Sequence, residues 1–117
     1  MRVLIVDDDA FVLQSCRRIL AAEGMEIHTA RSVEEGEKAL TNGVFDLMLT
    51  DIKMPGQDGF ALISRARHLH PDLPILMMSG YSVPETIEKS IHWGANHYIA
   101  KPFTPEELLE AVRKTAL

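Results

Sequence analysis

The chain has 117 residues, 46% hydrophobic and 25% charged, the size and balance of one globular domain over residues 1–117, which sets aside disordered and fibrous classes. Its formal charge of −5, with no cluster of Lys or Arg, argues against direct nucleic-acid binding by this domain, and its apolar runs are of strand length, too short to cross a bilayer. The Met1-Arg2-Val3 start has no signal-peptide layout, so a cytoplasmic protein without a membrane partner is expected.

Val3-Leu4-Ile5-Val6 is a continuous apolar run ended by Asp7-Asp8-Asp9, the pattern of a strand covered on both faces. From Ala10 to about Glu23, Val12, Cys16, Ile19 and Leu20 fall on one stripe, predicting a helix that Asp9 caps and Gly24 stops. Cys16, the single cysteine, can form no internal disulfide and reads as a small buried hydrophobe. Met25 to Ala30 alternates apolar Met25, Ile27 and Thr29 with polar Glu26 and His28, as in an edge strand wet on one side. Ser32-Val33-Glu34-Glu35 has the form of a capping box, the Ser oxygen facing the third helical N–H and Glu35 reaching back, and the helix that follows ends near Thr41 at Asn42-Gly43.

Phe45 to Thr50 is again apolar and central, and Asp51 stands where that strand meets a turn. Lys53 to Gly59 is a loop dense in turn formers, in which Asp58 caps a helix from Gly59 to about Leu69 with Leu62, Ile63, Ala66 and Leu69 as its apolar members. Ile75-Leu76-Met77-Met78 forms a fourth strand stopped by Ser79-Gly80. Ser82 with Glu85 makes a second capping box, for a helix on which Val83, Ile87, Ser90, Ile91 and Gly94 share a face. His97-Tyr98-Ile99-Ala100 is a short last strand before Lys101-Pro102-Phe103, and Thr104-Pro105-Glu106-Glu107 opens a closing helix that runs to about Thr115.

Strands alternating with helices over short connections predict a single doubly wound (βα)5 domain, a five-stranded parallel sheet with helices on both faces. Edge character in the second and fifth strands and central character in the first, third and fourth fit the strand order 2-1-3-4-5. In that order ligands bind beyond the carboxyl ends of the first and third strands, where Asp7, Asp8 and Asp51 stand. Three carboxylates brought together repel by about 4 kcal/mol per pair at ~4 Å for an effective dielectric near 20, so a cation or protons must relieve them. Two or three carboxylates with room for water and a phosphate oxygen suit Mg²⁺, or Mn²⁺ in its place. Lys101 offers a point charge, and Ser79 a hydroxyl, for an anion beside that metal.

Along essentially its whole length the chain resembles the CheY-like receiver domain of two-component response regulators. The resemblance is carried by Val6-Asp7-Asp8-Asp9, Asp51-Ile52-Lys53-Met54-Pro55-Gly56, Met78-Ser79-Gly80, Gly94-Ala95 and Tyr98-Ile99-Ala100-Lys101-Pro102-Phe103. It implies that Asp51 is the phosphoacceptor, taking a phosphoryl group from a sensor histidine kinase or a histidine phosphotransfer protein. Asp8, Asp51 and the backbone carbonyl of Lys53 would hold Mg²⁺, with Asp7 acting mostly through water. Lys101 would pair with the phosphoryl group, Ser79 would swing to hydrogen-bond it, and Tyr98 would be the switch aromatic. The resemblance also implies a cis Lys101-Pro102 bond, a role for Lys53 and Tyr81 in water access, and an output partner on the face of the last two helices and the fifth strand. Such a domain promotes its own phosphorylation and dephosphorylation but is a signalling module rather than an enzyme.

Plainer roles are assigned to the remaining residues. The Lys53 side chain is expected in solvent, the five His at the surface, and Met48, Met54, Met77 and Met78 in core or turn packing. Trp93 falls off the apolar stripe of its helix and is expected partly exposed near the last strand, as a partner surface. Two other functions use the same residue types. An Asp-nucleophile hydrolase resembling phosphatases would carry an Asp two residues after the nucleophile, where Lys53 stands; a constitutive pseudo-receiver would lack an acid or the Lys, all of which are present. Where one DNA-binding subclass of receivers has two acidic residues before the switch aromatic, this chain has Asn96 and His97, which counts against that subclass's salt-bridged dimer.

Overall fold

The computed structural model describes residues 1–80 and 84–116. In chain order the elements are β1 (Arg2–Val6), α1 (Ala10–Ala21), β2 (Glu26–Ala30), α2 (Val33–Asn42), β3 (Leu47–Asp51), α3 (Gly59–Leu69), β4 (Ile75–Ser79), α4 (Pro84–Trp93), β5 (His97–Ala100) and α5 (Pro105–Ala116). The five strands are all parallel in the order β2-β1-β3-β4-β5, which is the expected doubly wound arrangement.

Alternate side chains of each central strand enter opposite cores. On one face Leu4, Val6, Met48, Ile75 and Met77 pack with Leu40 of α2 and Leu62, Ile63 and Ala66 of α3. On the other, Val3, Ile5, Leu47, Leu49, Leu76 and Met78 meet Cys16 and Leu20 of α1 and Leu108 and Val112 of α5. Two-sided burial is why β1, β3 and β4 each carry an unbroken apolar run, while the edge strands β2 and β5 are largely exposed. The register is level at the carboxyl ends: Val6 lies opposite Thr50, Asp51 opposite Met78 and Ser79 opposite Ala100.

Several local expectations shift. β3 starts at Leu47 and includes Asp51, and β4 includes Ser79, because parallel pairing continues through both residues. The buried stripe of α1 is Leu13, Cys16 and Leu20, with Val12 and Ile19 on its flank. Thr29 is exposed on its edge strand, and Ile91 is exposed on α4, where Ser90 is buried instead. Lys53–Met54 and Gln57–Asp58, expected as loop, pair antiparallel in a small ladder. Pro55 and Gly56 turn it, with Gly56 at φ +68°, in the left-handed region that favours glycine.

The caps are mostly as expected. Asp9 accepts the Phe11 N–H at 2.9 Å, Asp58 accepts the Phe60 N–H at 2.9 Å, and Thr104 and Glu107 bond each other's N–H in both directions. Ser32 Oγ accepts the Glu35 N–H at 3.1 Å, but the Glu35 carboxylate returns to the Ser32 hydroxyl rather than to its N–H. The expected box of Ser82 and the Val83 and Tyr81 side chains lie outside the described residues. His70 is half-buried rather than at the surface: its Nε2 lies 2.7 Å from the Leu40 carbonyl oxygen, one of the carbonyls that the last turn of α2 leaves without an intrahelical partner. Met48, Met54, Met77 and Met78 are all buried, as expected. Among the described residues no helix is long and apolar enough to cross a membrane.

Candidate functional site

β1 and β3 are neighbours, so the acids that end them meet at the carboxyl edge of the sheet. Asp7, Asp8 and Asp51 each present an oxygen within 4.8 Å of the other two, a grouping that could hold a metal ion. Asp7 is fully buried, Asp51 is 6% exposed, and Asp8 is half-buried and reaches solvent. At such separations repulsion exceeds about 3 kcal/mol per pair for an effective dielectric near 20.

Within the protein that charge is met by Lys101. The Lys101 N–H donates to the Ser79 carbonyl at 2.9 Å, which brings the lysine over β4 toward β3 and β1. Its Nζ donates to Asp7 Oδ2 at 2.7 Å and to Asp51 Oδ2 at 3.2 Å. Asp51 Oδ1 accepts the Ile52 N–H at 2.8 Å and the Lys53 N–H at 3.3 Å, so both carboxylate oxygens of Asp51 are oriented. Asp7 Oδ1 accepts the Asp9 N–H at 2.9 Å.

Burial dominates the Asp7 carboxyl and raises its pKa above the usual carboxylate value, against the hydrogen bonds from Lys101 and Asp9 that lower it. Burial alone would depress Lys101, but the hydrogen bonds and charges of Asp7 and Asp51 outweigh it and raise the ammonium. Both partners are thus pushed up: burial disfavours the charge on Asp7, and the two acids that face Lys101 favour the charge on its ammonium. Cys16, behind Asp7, is pushed up to about 11 by burial and by the Asp7 charge, which marks an unreactive thiol.

The other expected site residues fall at different distances from this cluster. Ser79 is 4% exposed, ends the strand beside Asp51 and borders a groove with Ile52, Met54, Phe60, Thr86 and Lys89. The Lys53 side chain is exposed, as expected, and its backbone is held against Asp51. Tyr98 is not part of the cluster: its side chain is 45% exposed on β5 near Glu107, Glu110 and Lys114. The Lys101-Pro102 peptide is cis. Trp93 is 43% exposed but faces α3, beside Phe60, Ser64, Arg65 and His68, instead of the last strand. The sequence reading missed the double engagement of Lys101 and the contact of Gln57 with Val33; neither leaves a local signal, because both join distant segments.

Comparison with known proteins agrees with this geometry. A family model described as the response regulator receiver domain matches residues 3–113. The response regulator protein FleR of Pseudomonas aeruginosa is 33% identical over 116 residues, 99% of this chain and 24% of FleR. The DNA-binding transcriptional regulator NtrC of Klebsiella pneumoniae is 36% identical over 108 residues, 92% of this chain and 23% of NtrC. The chain therefore spans about a quarter of the length of these curated relatives. The crystal structure of a CheY-like response regulator receiver domain protein from Methanospirillum hungatei JF-1 superposes with a TM-score of 0.93 at 39% identity, covering 98% of this chain and 92% of that one.

Proposed function

The chain belongs to the response regulator receiver domain family, the signalling module of two-component regulators, and from that premise we propose that it is a phosphorylation-dependent switch whose acceptor is Asp51. The observation that carries this reading is the meeting of Asp7, Asp8 and Asp51 with Lys101 at one edge of the sheet. Mg²⁺ fits the donor set, since hard oxygens from few protein groups leave room for water and phosphate. Asp8, Asp51 and the Lys53 carbonyl would hold it directly and Asp7 through water. When bound, it supplies charge neutralisation for the acceptor and for the transferred phosphoryl oxygens.

Asp51 attacks phosphorus, the P–N bond of the donor phosphohistidine breaks as the P–O bond forms, and the imidazole leaves with the P–N electron pair. The protein contributes mainly position and electrostatics. The Ile52 and Lys53 N–H groups fix the acceptor carboxylate, and Lys101 moves its ammonium from Asp51 Oδ2 to the arriving phosphoryl oxygens. Ser79, already beside the site, turns its hydroxyl onto the same group. Tyr98, exposed before transfer, follows inward and alters the face of α4, β5 and α5.

A sensor histidine kinase or histidine phosphotransfer protein donates the group, in the cytoplasm. An output domain or partner reads the changed face. The domain controls that output without gripping nucleic acid itself, a division that its charge of −5 supports.

Incubation with phosphoramidate or acetyl phosphate and Mg²⁺ tests the reading. A mass gain of one phosphoryl group, labile to base and absent with EDTA or in Asp51→Asn, is expected. No adduct in the parent favours a constitutive binding module, and rapid turnover of small phosphate esters favours a hydrolase.

A further inference from the structure

Gln57, in the small ladder after Asp51, reaches across to another element. Its Oε1 accepts the Val33 N–H at 2.6 Å, 24 residues away. Val33 opens α2, so its N–H has no partner within the helix. Ser32 Oγ already serves the Glu35 N–H, and Gln57 supplies a second cap from outside the helix.

The other end of this contact leads to the acidic site. Gln57 pairs with Met54, and Asp58 with Lys53, in the small antiparallel ladder. Met54 is buried and pins that ladder to the core, and the Lys53 N–H donates to Asp51 Oδ1. The segment that Gln57 grips is itself tied to the paired acids, because the Asp7 N–H donates to the Ala30 carbonyl at 3.1 Å, just before α2 begins. A closed circuit of contacts and short chain links thus runs from Asp51 through Lys53, its neighbour Met54, Gln57, Val33 and Ala30 to Asp7, and Lys101 completes it by bonding Asp7 and Asp51.

We infer that Gln57 is a positioning residue for the acidic site: by clamping the ladder to the N-terminus of α2, it holds the Lys53 backbone against Asp51. The inference rests on the reading of that site as a metal and phosphoryl site. What the contact requires is an acceptor oxygen at the length of Gln. Glu meets that requirement and also suits the positive end of a helix, whereas Leu has the bulk without the oxygen.

Two variants of the full chain, Gln57→Leu and Gln57→Glu, are compared with the parent by amide hydrogen exchange without metal and by Mg²⁺ titration calorimetry. In Gln57→Leu the Val33 and Lys53 amides are expected to exchange about fivefold faster, the population effect of one ordinary hydrogen bond. Mg²⁺ affinity is expected to fall about 10-fold, the lower end of what outer-shell partners of a metal site contribute. Gln57→Glu is expected to restore both to within about twofold of the parent.

Faster exchange at Val33 alone, with Lys53 and Mg²⁺ affinity unchanged, would make Gln57 an ordinary helix cap and overturn the inference. So would a Glu variant as impaired as the Leu variant. A parent that binds no Mg²⁺ counts against the metal reading instead. Lys53 exchange in Gln57→Leu then still decides, faster exchange supporting the positioning role and unchanged exchange ending it.

Discussion

The Lys101 ammonium lies 2.7 Å from Asp7 Oδ2, joining residues 94 apart in the chain across the end of the sheet. Asp7 is fully buried and the lysine side chain 21% exposed, so this is a largely desolvated, charge-assisted hydrogen bond rather than a surface ion pair. The same ammonium touches Asp51, which makes Lys101 the resident counter-charge of the acidic cluster.

Replacing Lys101 by Ala removes the ammonium that bonds two of the three acids lying within 4.8 Å of one another. The metal-free variant should lose about 2 kcal/mol of stability, in the range for a hydrogen bond to a charged group. Mg²⁺, no longer competing with an ammonium, should bind it more tightly than the parent, while transfer from phosphoramidate slows by about 100-fold, as when one electrostatic stabiliser is removed. Urea unfolding with and without Mg²⁺, together with the transfer rate, checks this; weaker Mg²⁺ binding in the variant would contradict it.

Asp7 carries a signed pH dependence. Its folded pKa is raised above 3.8, so the native state takes up a proton before the unfolded state does. The stabilisation from that protonation is fully present below 3.8 and is lost as pH rises through the folded pKa. With EDTA present, Asp7→Asn should therefore gain on the parent as pH rises out of this window, and the two should converge as pH falls toward 3.8. Denaturant unfolding of both proteins from roughly neutral pH down toward 3.8 measures the gap. A gap that stays constant would show that Asp7 does not titrate this way.

Gly59 opens α3 with its Cα against the Ile52 backbone, and a Cβ there would fall on the Ile52 carbonyl oxygen and Cα. Backbone atoms cannot swing aside as a flexible side chain can. Gly59→Ala should cost about 3 kcal/mol, as overpacking of a fixed contact does. Because Ile52 follows Asp51 and donates to its Oδ1, Mg²⁺ binding should weaken as well. Thermal unfolding and Mg²⁺ titration together test it: a variant as stable as the parent, with parental affinity, would rule out the close approach.

Much of this protein is legible from short stretches of chain. Val3-Leu4-Ile5-Val6 announces a strand buried on both sides, and Thr104-Pro105-Glu106-Glu107 announces a capped helix, because each pattern is complete within one element. Boundaries were less legible. Asp51 and Ser79 look like turn residues beside Gly and Pro, yet both are strand residues, since pairing with Met78 and Ala100 continues the ladder through them. Ile91 sits at an apolar spacing but is exposed, because α4 turns Ser90 rather than Ile91 inward.

The sequence by itself determined the order and type of the elements and the placing of acids, a hydroxyl and a lysine at strand ends, because hydrophobic period and caps are local physics. Only the tertiary structure decided which of those groups meet. Parallel pairing of β1 with β3 sets Asp7 and Asp8 beside Asp51, the cover of Lys101 over β4 gives two acids one ammonium, and the exposure of Tyr98 keeps it outside the cluster. Those distances come from strand order and register, which join segments tens of residues apart and leave no mark within either one.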